Sequence, residues 1–343
     1  MSNVNVFAPS GSAGDLDGTS DAELELAVHL DPDELSQQMA VDVRAGLQRT
    51  PKVLPPKYFY DGRGSELFDE ITRLEEYYPT RAERAILVER AGEVATITRA
   101  QCLVELGSGT SEKTQLLLRA LREAGTLTRF VPFDVDPVVL REAAPVIAAQ
   151  FPGLEVAPEV GDFERHLGDV PRRPRQLVAF LGSTIGNLDP AARATFLADV
   201  RDLLGDDGHL LLGTDLVKPV DRLVAAYDDA RGVTAAFNRN VLRVINRSLG
   251  ADFDAQAFAH RAVWDIEHEW IEMRLESVRD QRVHVRDLDL EVSFARGEAM
   301  RTEISTKFRR EGVRAELATA GLELSHWWTD PAGDFALSLS RPA

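Results

Sequence analysis

A short apolar run that stops at two glycines, just before a helical segment, constrains the fold of this chain more than any other feature. Residues 103–106 are mostly apolar, Gly107 and Gly109 follow, and residues 112–123 have the pattern of a helix. A strand, a glycine turn and a helix in this order form a cofactor pocket, because residues without a Cβ atom let a ligand approach the backbone. The chain is therefore predicted to be an α/β protein that binds a nucleotide cofactor at this turn.

The residue three positions after the second glycine indicates which cofactor the turn suits. A dinucleotide fingerprint needs a third glycine there, whereas this chain has Glu112. A carboxylate in the first turn of a helix repels a pyrophosphate, which would otherwise bind there. S-adenosylmethionine (SAM) has an adenosine and a sulfonium cation but no phosphate. The order Glu105-x-Gly107-x-Gly109 also resembles the form found in class I methyltransferases, so we predict SAM as the cofactor. A tight turn without a ligand is the alternative for the glycines alone.

Three later apolar runs end in residues that can complete such a pocket. Asp134 follows the second run and is placed to bind the two hydroxyls of a ribose. Asp162 and Phe163 follow the third run, where a carboxylate can accept from the adenine amino group and a backbone N–H can donate to the ring. The fourth run ends in the loop 182–187. Strands that alternate with helices predict a parallel, doubly wound sheet with its ligand crevice at these strand ends.

Composition limits the class of protein and its partners. The chain has 343 residues, 44% of them hydrophobic, which is enough to bury the core of one large domain or two. A net charge of −17 without a basic stripe argues against nucleic acid and membrane partners. The single cysteine, Cys102, fits a cytoplasmic location, and no apolar run reaches transmembrane length. The seven histidines form no ligand pattern, so we predict no metal, and we expect a monomer.

The domain organisation follows from where the alternation of strands and helices starts and stops. We expect a SAM-binding Rossmann-like core over residues 99–217, completed by a helix and strands at 306–343. The segment 218–305, with two helices and three runs of strand character, is too long for a structureless loop. We expect it to form a second, smaller α+β domain with the N-terminal helices at 38–98. The acidic residues 1–37 are expected to be a disordered tail.

Local signals predict where several helices begin. Asp136 and Asp189 each precede a proline, which combines a capping acid with proline at the first helical position. These two helices should follow the second and fourth strands. Thr80 and Glu83 have the spacing of a capping box, which predicts a helix that ends near Ala95.

Several longer strings make the chain similar to a known family. They are LPPKYFYD (54–61), YYPTR (77–81), ELGSGTSEKT (105–114), FLGSTIGN (180–187), TAAFNRN (234–240) and HWWTD (326–330). With them, the chain resembles the histidine-specific Nα-methyltransferases of ergothioneine biosynthesis from about residue 40 to its C-terminus. The resemblance implies a class I methyltransferase fold. It also implies transfer of three methyl groups from SAM to the α-amine of L-histidine, which gives hercynine (histidine betaine) and S-adenosylhomocysteine.

The resemblance also implies the binding residues. The cofactor contacts of the family correspond to Gly107, Lys113, Asp134, Asp162 and Phe163. The substrate contacts correspond to Tyr77, Asn187, Tyr227, Glu303 and Ser305. Each of these positions holds the residue type of the family pattern.

Each substrate residue can be given an expected role. Asn187 and Tyr227 can donate hydrogen bonds to the substrate carboxylate. Glu303 and Ser305 are two residues apart, so on an extended segment they face the same side. A carboxylate and a hydroxyl on one face suit an imidazole, which offers a donor and an acceptor, and Tyr77 would supply a third polar contact. Without the family, the ordinary interpretations are favoured: a core tyrosine for Tyr227, a turn or helix start for Asn187, a helix-end tyrosine for Tyr77 and a solvated strand edge for Glu303 and Ser305.

Two further roles concern charge and protons. Lys113 is expected to reach the carboxylate of the cofactor, although a lysine there is ordinarily solvated. The substrate amine must lose a proton before each methyl transfer, and Tyr60 is a candidate acceptor or relay for it; a core aromatic is the alternative. Aromatic faces near the amine would favour the cation that forms on the product.

Three other functions remain open at this point. A methyltransferase of the same build could act on another amino acid, although an indole or phenyl ring would leave Glu303 unpaired. A nicotinamide dehydrogenase is disfavoured by Glu112 and by the lack of an obvious histidine for hydride transfer. A non-catalytic protein that retains the pocket would bind SAM without turnover.

Overall fold

The computed structural model describes residues 25–30 and 32–343. At the centre of this part of the chain is a nine-stranded sheet. Most of the tail predicted for residues 1–37 lies outside the described residues. The part that is described forms the short strand β1 (Ala27–Val28) and the start of helix α1 (Pro32–Leu47). This part is folded, contrary to the prediction of a disordered tail, because β1 pairs with an edge of the sheet.

Between residues 99 and 217 strands and helices alternate largely as predicted, although two short strands follow one another at 155–160 and no α-helix separates them from the next strand. The helices after α1 are α2 (Gly62–Thr72), α3 (Pro79–Thr98), α4 (Gln115–Glu123), α5 (Pro137–Gln150), α6 (Pro190–Leu204), α7 (Val220–Tyr227), α8 (Val233–Leu249) and α9 (Arg310–Thr319). The strands after β1 are β2 (Cys102–Leu106), β3 (Arg129–Asp134), β4 (Glu155–Val156), β5 (Glu159–Val160), β6 (Gln176–Phe180), β7 (His209–Asp215), β8 (Phe258–Asp265), β9 (Trp270–Ser277), β10 (Gln281–Val285), β11 (Leu290–Phe294), β12 (Ala299–Thr306), β13 (Leu322–Thr329) and β14 (Phe335–Pro342).

The central sheet has the order β1-β5-β3-β2-β6-β7-β14-β13, with β4 beside β3. Neighbouring strands from β1 to β7 are parallel, and β14 runs antiparallel to both β7 and β13. All five residues of β2 and of β6 are buried, as expected for parallel strands covered on both faces. The predicted doubly wound sheet is therefore confirmed, and the last two strands complete it.

The strand order reverses between β2 and β6. From β2 the chain moves outward through β3 to β5, and it then returns to the other side of β2. At such a switch point the connections leave a crevice outside the carboxyl ends of the two strands. The turn with Gly107 and Gly109 follows β2, and the loop 182–187 follows β6. The topology thus puts both loops at one crevice.

A second apolar core lies outside this sheet and is built from two distant parts of the chain. Val43 and Phe59 from the N-terminal helices pack in one cluster with Ile245, Phe258 and Met300 from the later segment. That segment contains the two predicted helices and five strands, in the sheet β12-β9-β8 and the hairpin β10-β11, where three runs were predicted. The shared core agrees with the expected pairing of residues 38–98 and 218–305, whose behaviour as a separate domain stays a prediction.

The helix starts agree with two of the three local signals. The Asp136 side chain accepts from the Val138 N–H, and the Asp189 side chain accepts from two N–H groups of the first turn of α6. The capping box at Thr80 and Glu83 is wrong. Glu83 is fully buried, and its carboxylate accepts from the backbone N–H of Gly182 in the loop after β6. A buried charge needs such partners more than a helix end needs a cap.

The chain before Asp162 and Phe163 leaves no room for a side chain at Gly161. A Cβ atom built at this position would lie 2.4 Å from Cζ of Phe133, which is fully buried on β3. Gly161→Ala should therefore lower the free energy of unfolding by about 1–3 kcal/mol, the usual cost of overpacking. Urea unfolding of the purified protein measures the change.

Gly168 provides a matched control in the same connection between β5 and β6. A Cβ atom there would meet no atom within 4 Å, so Gly168→Ala should leave the free energy of unfolding nearly unchanged. Equal losses in both variants would show that the contact with Phe133 is not what excludes a side chain at Gly161.

Candidate active site

The glycine turn after β2 is held by the acid at the end of β3. Gly107 and Gly109 have φ values of +65° and +49°, a region that glycine enters at little cost. The Gly109 N–H donates to Oδ2 of Asp134 at 2.8 Å, and the Asp136 N–H donates to Oδ1 at 3.0 Å. Burial raises the pKa of Asp134 above its ordinary value, while these N–H groups oppose the rise. Asp134, which is predicted to bind the ribose, thus lies at the edge of the crevice.

The acid before the glycines points inward instead. The buried Glu105 carboxylate accepts from the hydroxyls of Ser111 and Thr114, which lie in the turn before α4. Burial raises the pKa of Glu105 to about 7, against the effect of these two donors. Helix α4 begins at Gln115, later than predicted, so Glu112 belongs to this turn and not to the first turn of the helix. Glu105 therefore braces the loop on which the cofactor would rest.

Asp162 and Phe163 follow β5 at the adjoining strand end. Oδ1 of the buried Asp162 accepts from the Glu164 N–H at 2.9 Å, and Oδ2 lies 3.4 Å from Nζ of Lys57. The Phe163 ring packs edge-on against Phe180, with 5.1 Å between the centroids. Within the described part of the chain, the Phe163 backbone N–H makes no hydrogen bond. A buried carboxylate beside a free N–H matches the acceptor and donor predicted for adenine.

Lys113 and the loop after β6 share one buried partner. The Lys113 ammonium forms an ion pair with the carboxylate of Glu83, which also accepts from the Gly182 N–H at 2.7 Å. Glu83 therefore holds Lys113, which follows the glycine turn, close to Gly182 in the loop after β6. This role of Glu83 could not be predicted from the sequence. Residues three apart on a helix have the spacing of a capping box whether or not their side chains cap it.

The substrate residues of β12 and α7 meet in a second group. The hydroxyls of Tyr227 and Ser305 lie 2.7 Å apart. Glu303 is only 9% exposed, and none of the residues that the structure describes donates a hydrogen bond to its carboxylate. Burial raises the pKa of Glu303 to about 7, although the charge of Lys307 opposes the rise. A buried carboxylate without a donor is costly, and such a group marks a ligand site more often than a structural one.

Aromatic rings connect this group to the N-terminal helices. The Tyr60 ring lies edge-on to Phe68 and Phe237, with centroid distances of 5.6 and 5.5 Å. The Tyr77 ring lies edge-on to Phe68 at 6.2 Å and to Tyr227 at 6.3 Å. Tyr60 keeps 37% of its surface exposed, yet desolvation of its phenol raises the pKa well above the ordinary value. The phenol stays protonated near neutral pH, which favours a relay over a proton acceptor.

The turn that carries Asn187 packs against the end of β12. Residues Thr184–Asn187 form a single 3-10 turn. A Cβ atom at Gly186 would lie 2.9 Å from the backbone oxygen of Thr306, so the turn approaches the strand closely beside Ser305. Asn187 is half-buried, and among described residues its amide has no hydrogen-bond partner. Its amide is therefore available to a ligand.

Four charged or polar residues behind Tyr227 and Ser305 were missed by sequence reasoning. Asp215 ends β7 and is 1% exposed; it pairs with the ammonium groups of Lys307 and Lys218 and accepts from the Tyr78 hydroxyl. Burial alone would raise the pKa of Asp215, but the two ammonium groups lower it below its ordinary value. One signal was available, since Lys307 continues the alternation of Glu303 and Ser305.

Two kinds of feature are absent from the part of the chain that the structure describes. No three or more His, Cys, Asp or Glu side chains in that part of the chain are grouped so that they could hold a metal ion. No helix described by the structure is long and apolar enough to span a membrane.

The chain is similar to known proteins over most of its length. The chain matches the family described as "Histidine-specific methyltransferase, SAM-dependent" over residues 39–342. It is 60% identical over 317 residues to the histidine N-alpha-methyltransferase of Mycolicibacterium smegmatis, which covers 92% of this chain and 99% of that protein. The histidine N-alpha-methyltransferase of Mycobacterium tuberculosis is 58% identical with the same coverage.

A more distant relative is part of a longer protein. The ergothioneine biosynthesis protein 1 of Neurospora crassa is 33% identical over 293 residues, which are 81% of this chain and 32% of that protein. The family match extends over both the sheet and the segments that carry the second group of residues. The resemblance inferred from the sequence is confirmed: the chain belongs to the family of SAM-dependent, histidine-specific methyltransferases.

Proposed function

We propose that this protein transfers three methyl groups in turn from SAM to the α-amine of L-histidine, giving hercynine in an early step of ergothioneine biosynthesis. The observation that carries the proposal is the Glu303 carboxylate, which is buried without a donor two residues from the Ser305 hydroxyl. An imidazole offers both a donor and an acceptor, so it can satisfy the two groups at once.

The same observation separates histidine from other amino acids. An indole has a donor but no acceptor nitrogen, and a phenyl ring has neither, so either would leave buried polar groups without partners. Such a loss discriminates strongly between substrates, because the unpaired groups were already desolvated. The hydrogen-bonding groups of Glu303 and Ser305 therefore favour histidine over a tryptophan- or phenylalanine-like substrate.

The proposed roles on the cofactor side follow from the strand ends. Asp134 would bind the ribose hydroxyls, Asp162 and the Phe163 N–H would bind adenine, and Lys113 would bind the methionine carboxylate. The positive φ of Gly107 fits a backbone that lies directly against a ligand. No phosphate has to be accommodated, which agrees with Glu112 in the turn before α4.

When bound, SAM supplies a methyl group on a sulfonium, which a neutral amine can attack along the S–CH₃ axis. The protein contributes position and a water-poor site. Asn187 would hold the substrate carboxylate, with Tyr227 beside it, while Glu303 and Ser305 would hold the ring. Tyr60 would relay the proton that the amine loses, since its phenol, with a raised pKa, is protonated near neutral pH and can donate its own proton as it accepts another.

The proposal extends to the state of the protein in the cell. We infer a cytoplasmic monomer that acts on small molecules and binds neither nucleic acid nor membranes. The net charge of −17 supports this inference, because phosphate-rich surfaces repel such a protein. The N-terminal helices and the segment 218–305 would form a second domain over the strand ends.

Incubation of the purified protein with histidine and SAM should produce hercynine. Mass spectrometry should detect histidine with three added methyl groups, preceded by the mono- and dimethylated forms. Tryptophan and phenylalanine serve as controls and should gain no methyl group. Binding of SAM without any methylated histidine would support the non-catalytic alternative and overturn the proposed reaction.

Glu303→Gln should weaken histidine binding and stabilise the ligand-free protein above pH 7. The pKa of Glu303 is raised from 4.5 to about 7, so the folded protein binds this proton more tightly than the unfolded chain. The stability that this bound proton contributes is therefore lost as pH rises from 4.5 to 7. At pH 8 the charged Glu303 lowers the free energy of unfolding by about 3 kcal/mol. Gln removes that cost, but histidine loses a charged acceptor, and its Kd should rise about 10- to 100-fold.

Calorimetry and urea unfolding at pH 8 and pH 4.5 test both effects. The gain in stability should be present at pH 8 and absent at pH 4.5, and SAM affinity should be unchanged. Glu142 is exposed on α5 and has no ion pair with a described residue, so Glu142→Gln is the matched control. An unaltered histidine Kd in a folded Glu303→Gln variant would remove Glu303 from the substrate site.

Asp134→Ala should weaken SAM binding by about 1–3 kcal/mol, the scale of a charged hydrogen bond left unmade. The variant also frees the N–H groups of Gly109 and Asp136, so the turn loses its brace. Calorimetry with SAM or S-adenosylhomocysteine measures the loss. Asp169 is exposed and makes no side-chain hydrogen bond to a described residue, so Asp169→Ala should bind SAM normally. Equal affinities in the two variants would contradict the ribose role.

A further inference from the structure

A fully buried lysine stands behind the two hydroxyls of the substrate group. Lys307 follows β12, and its side chain has no exposed surface. Its Nζ atom lies 2.9 Å from Oδ2 of Asp215, 2.9 Å from the Tyr227 hydroxyl and 2.8 Å from Oγ of Ser305. An ammonium group has three N–H donors and no acceptor, so these three partners use its full capacity.

The three contacts fix how the two hydroxyls can bond. The oxygens of Tyr227 and Ser305 must both accept from Lys307, because the ammonium can only donate. Each hydroxyl keeps one proton, and the 2.7 Å between the oxygens is bridged by one of those protons. The other proton has to point away from the ammonium. The pair therefore offers one proton to the space that it faces. When Ser305 donates it to the ring, Tyr227 donates to Ser305, and Asn187 is the donor left for the substrate carboxylate.

We propose that Lys307 is a positioning residue that makes the Tyr227–Ser305 pair a hydrogen-bond donor towards the substrate, so that the site selects a neutral imidazole with its N–H directed at Glu303. This inference rests on the proposed function and deepens it. Glu303 can accept and the hydroxyl pair can donate, which is the polarity of a neutral ring with one N–H and one bare nitrogen. A ring protonated on both nitrogens would direct one N–H at a donor.

Lys218 is a natural counterpart that separates this role from simple charge balance. Its ammonium pairs with the other carboxylate oxygen of Asp215 and donates to the Tyr78 hydroxyl at 2.7 Å and to a backbone oxygen at 2.6 Å. It is nearly as buried as Lys307 but contacts neither Tyr227 nor Ser305 in the described structure. Both lysines neutralise Asp215, and only one contacts the hydroxyl pair.

The test compares Lys307→Met with Lys218→Met in the full-length protein. Each variant removes one ammonium from Asp215, so both should lower the melting temperature. Only Lys307→Met should raise the Kd of histidine, by about 10- to 100-fold. In this variant alone the two hydroxyls no longer accept from an ammonium, so they can rotate and present lone pairs to the ring instead of a proton. The Kd of S-adenosylhomocysteine should change less than twofold in either variant. Calorimetry with histidine and with S-adenosylhomocysteine gives these constants.

A second background tests whether Lys307 acts through the hydroxyls. In protein with Tyr227→Phe and Ser305→Ala, adding Lys307→Met should change the remaining histidine affinity by less than about threefold. If Lys307→Met alone does not fold, Asp215→Asn with Lys307→Met removes one charge of each sign. That double variant should show the same loss of histidine affinity.

The outcomes separate the two proposals. Wild-type protein that binds no histidine would overturn the proposed function together with this inference. Wild-type protein that binds histidine, with equal losses in Lys307→Met and Lys218→Met, would overturn the inference and leave the function intact. An undiminished effect of Lys307→Met in the background without hydroxyls would also overturn it.

Discussion

The buried carboxylate of Asp215 is the point at which the parts of this protein meet. It ends a strand of the central sheet and binds Tyr78 from the N-terminal helices and Lys307 from the end of β12. Breaking one partner of a buried ion pair is strongly destabilising, because the other charge stays desolvated. The contact therefore ties the strand ends that would carry SAM to the strand that carries Glu303 and Ser305. In the proposed reaction, the relative position of SAM and histidine would depend on it.

Much of the cofactor side could be predicted from the sequence, because it depends on strand ends. Asp134 and Asp162 each follow a short apolar run, and parallel strands bring such ends to one edge. The buried charges could not be found in the same way. Glu83 and Lys307 are residue types that usually lie at the surface, and only tertiary packing gives them oppositely charged partners in the interior. The folded part of the N-terminal segment was missed because two residues of β1 leave no periodicity to detect.

Glu303 illustrates a conflict between stability and recognition. Its carboxylate lies in a place that desolvates it, and none of the described residues compensates with a hydrogen bond. Proteins commonly retain such a group only where function requires it. Lys307 lowers the cost by its charge but spends its three donors elsewhere. The free acceptor capacity of Glu303 is thereby kept for a ligand.

The aromatic rings between Tyr60 and Tyr227 have a consequence for repeated reaction at one nitrogen. Each added methyl group removes an N–H, so an anchor made of acceptors at the amine would lose its grip from one round to the next. Ring faces attract a cation whether or not it retains hydrogen atoms. A site that binds the carboxylate and the ring of an amino acid, with aromatic faces around its nitrogen, can hold histidine and its mono- and dimethylated forms equally well. In the proposed reaction, one binding site would then suffice for all three methyl transfers.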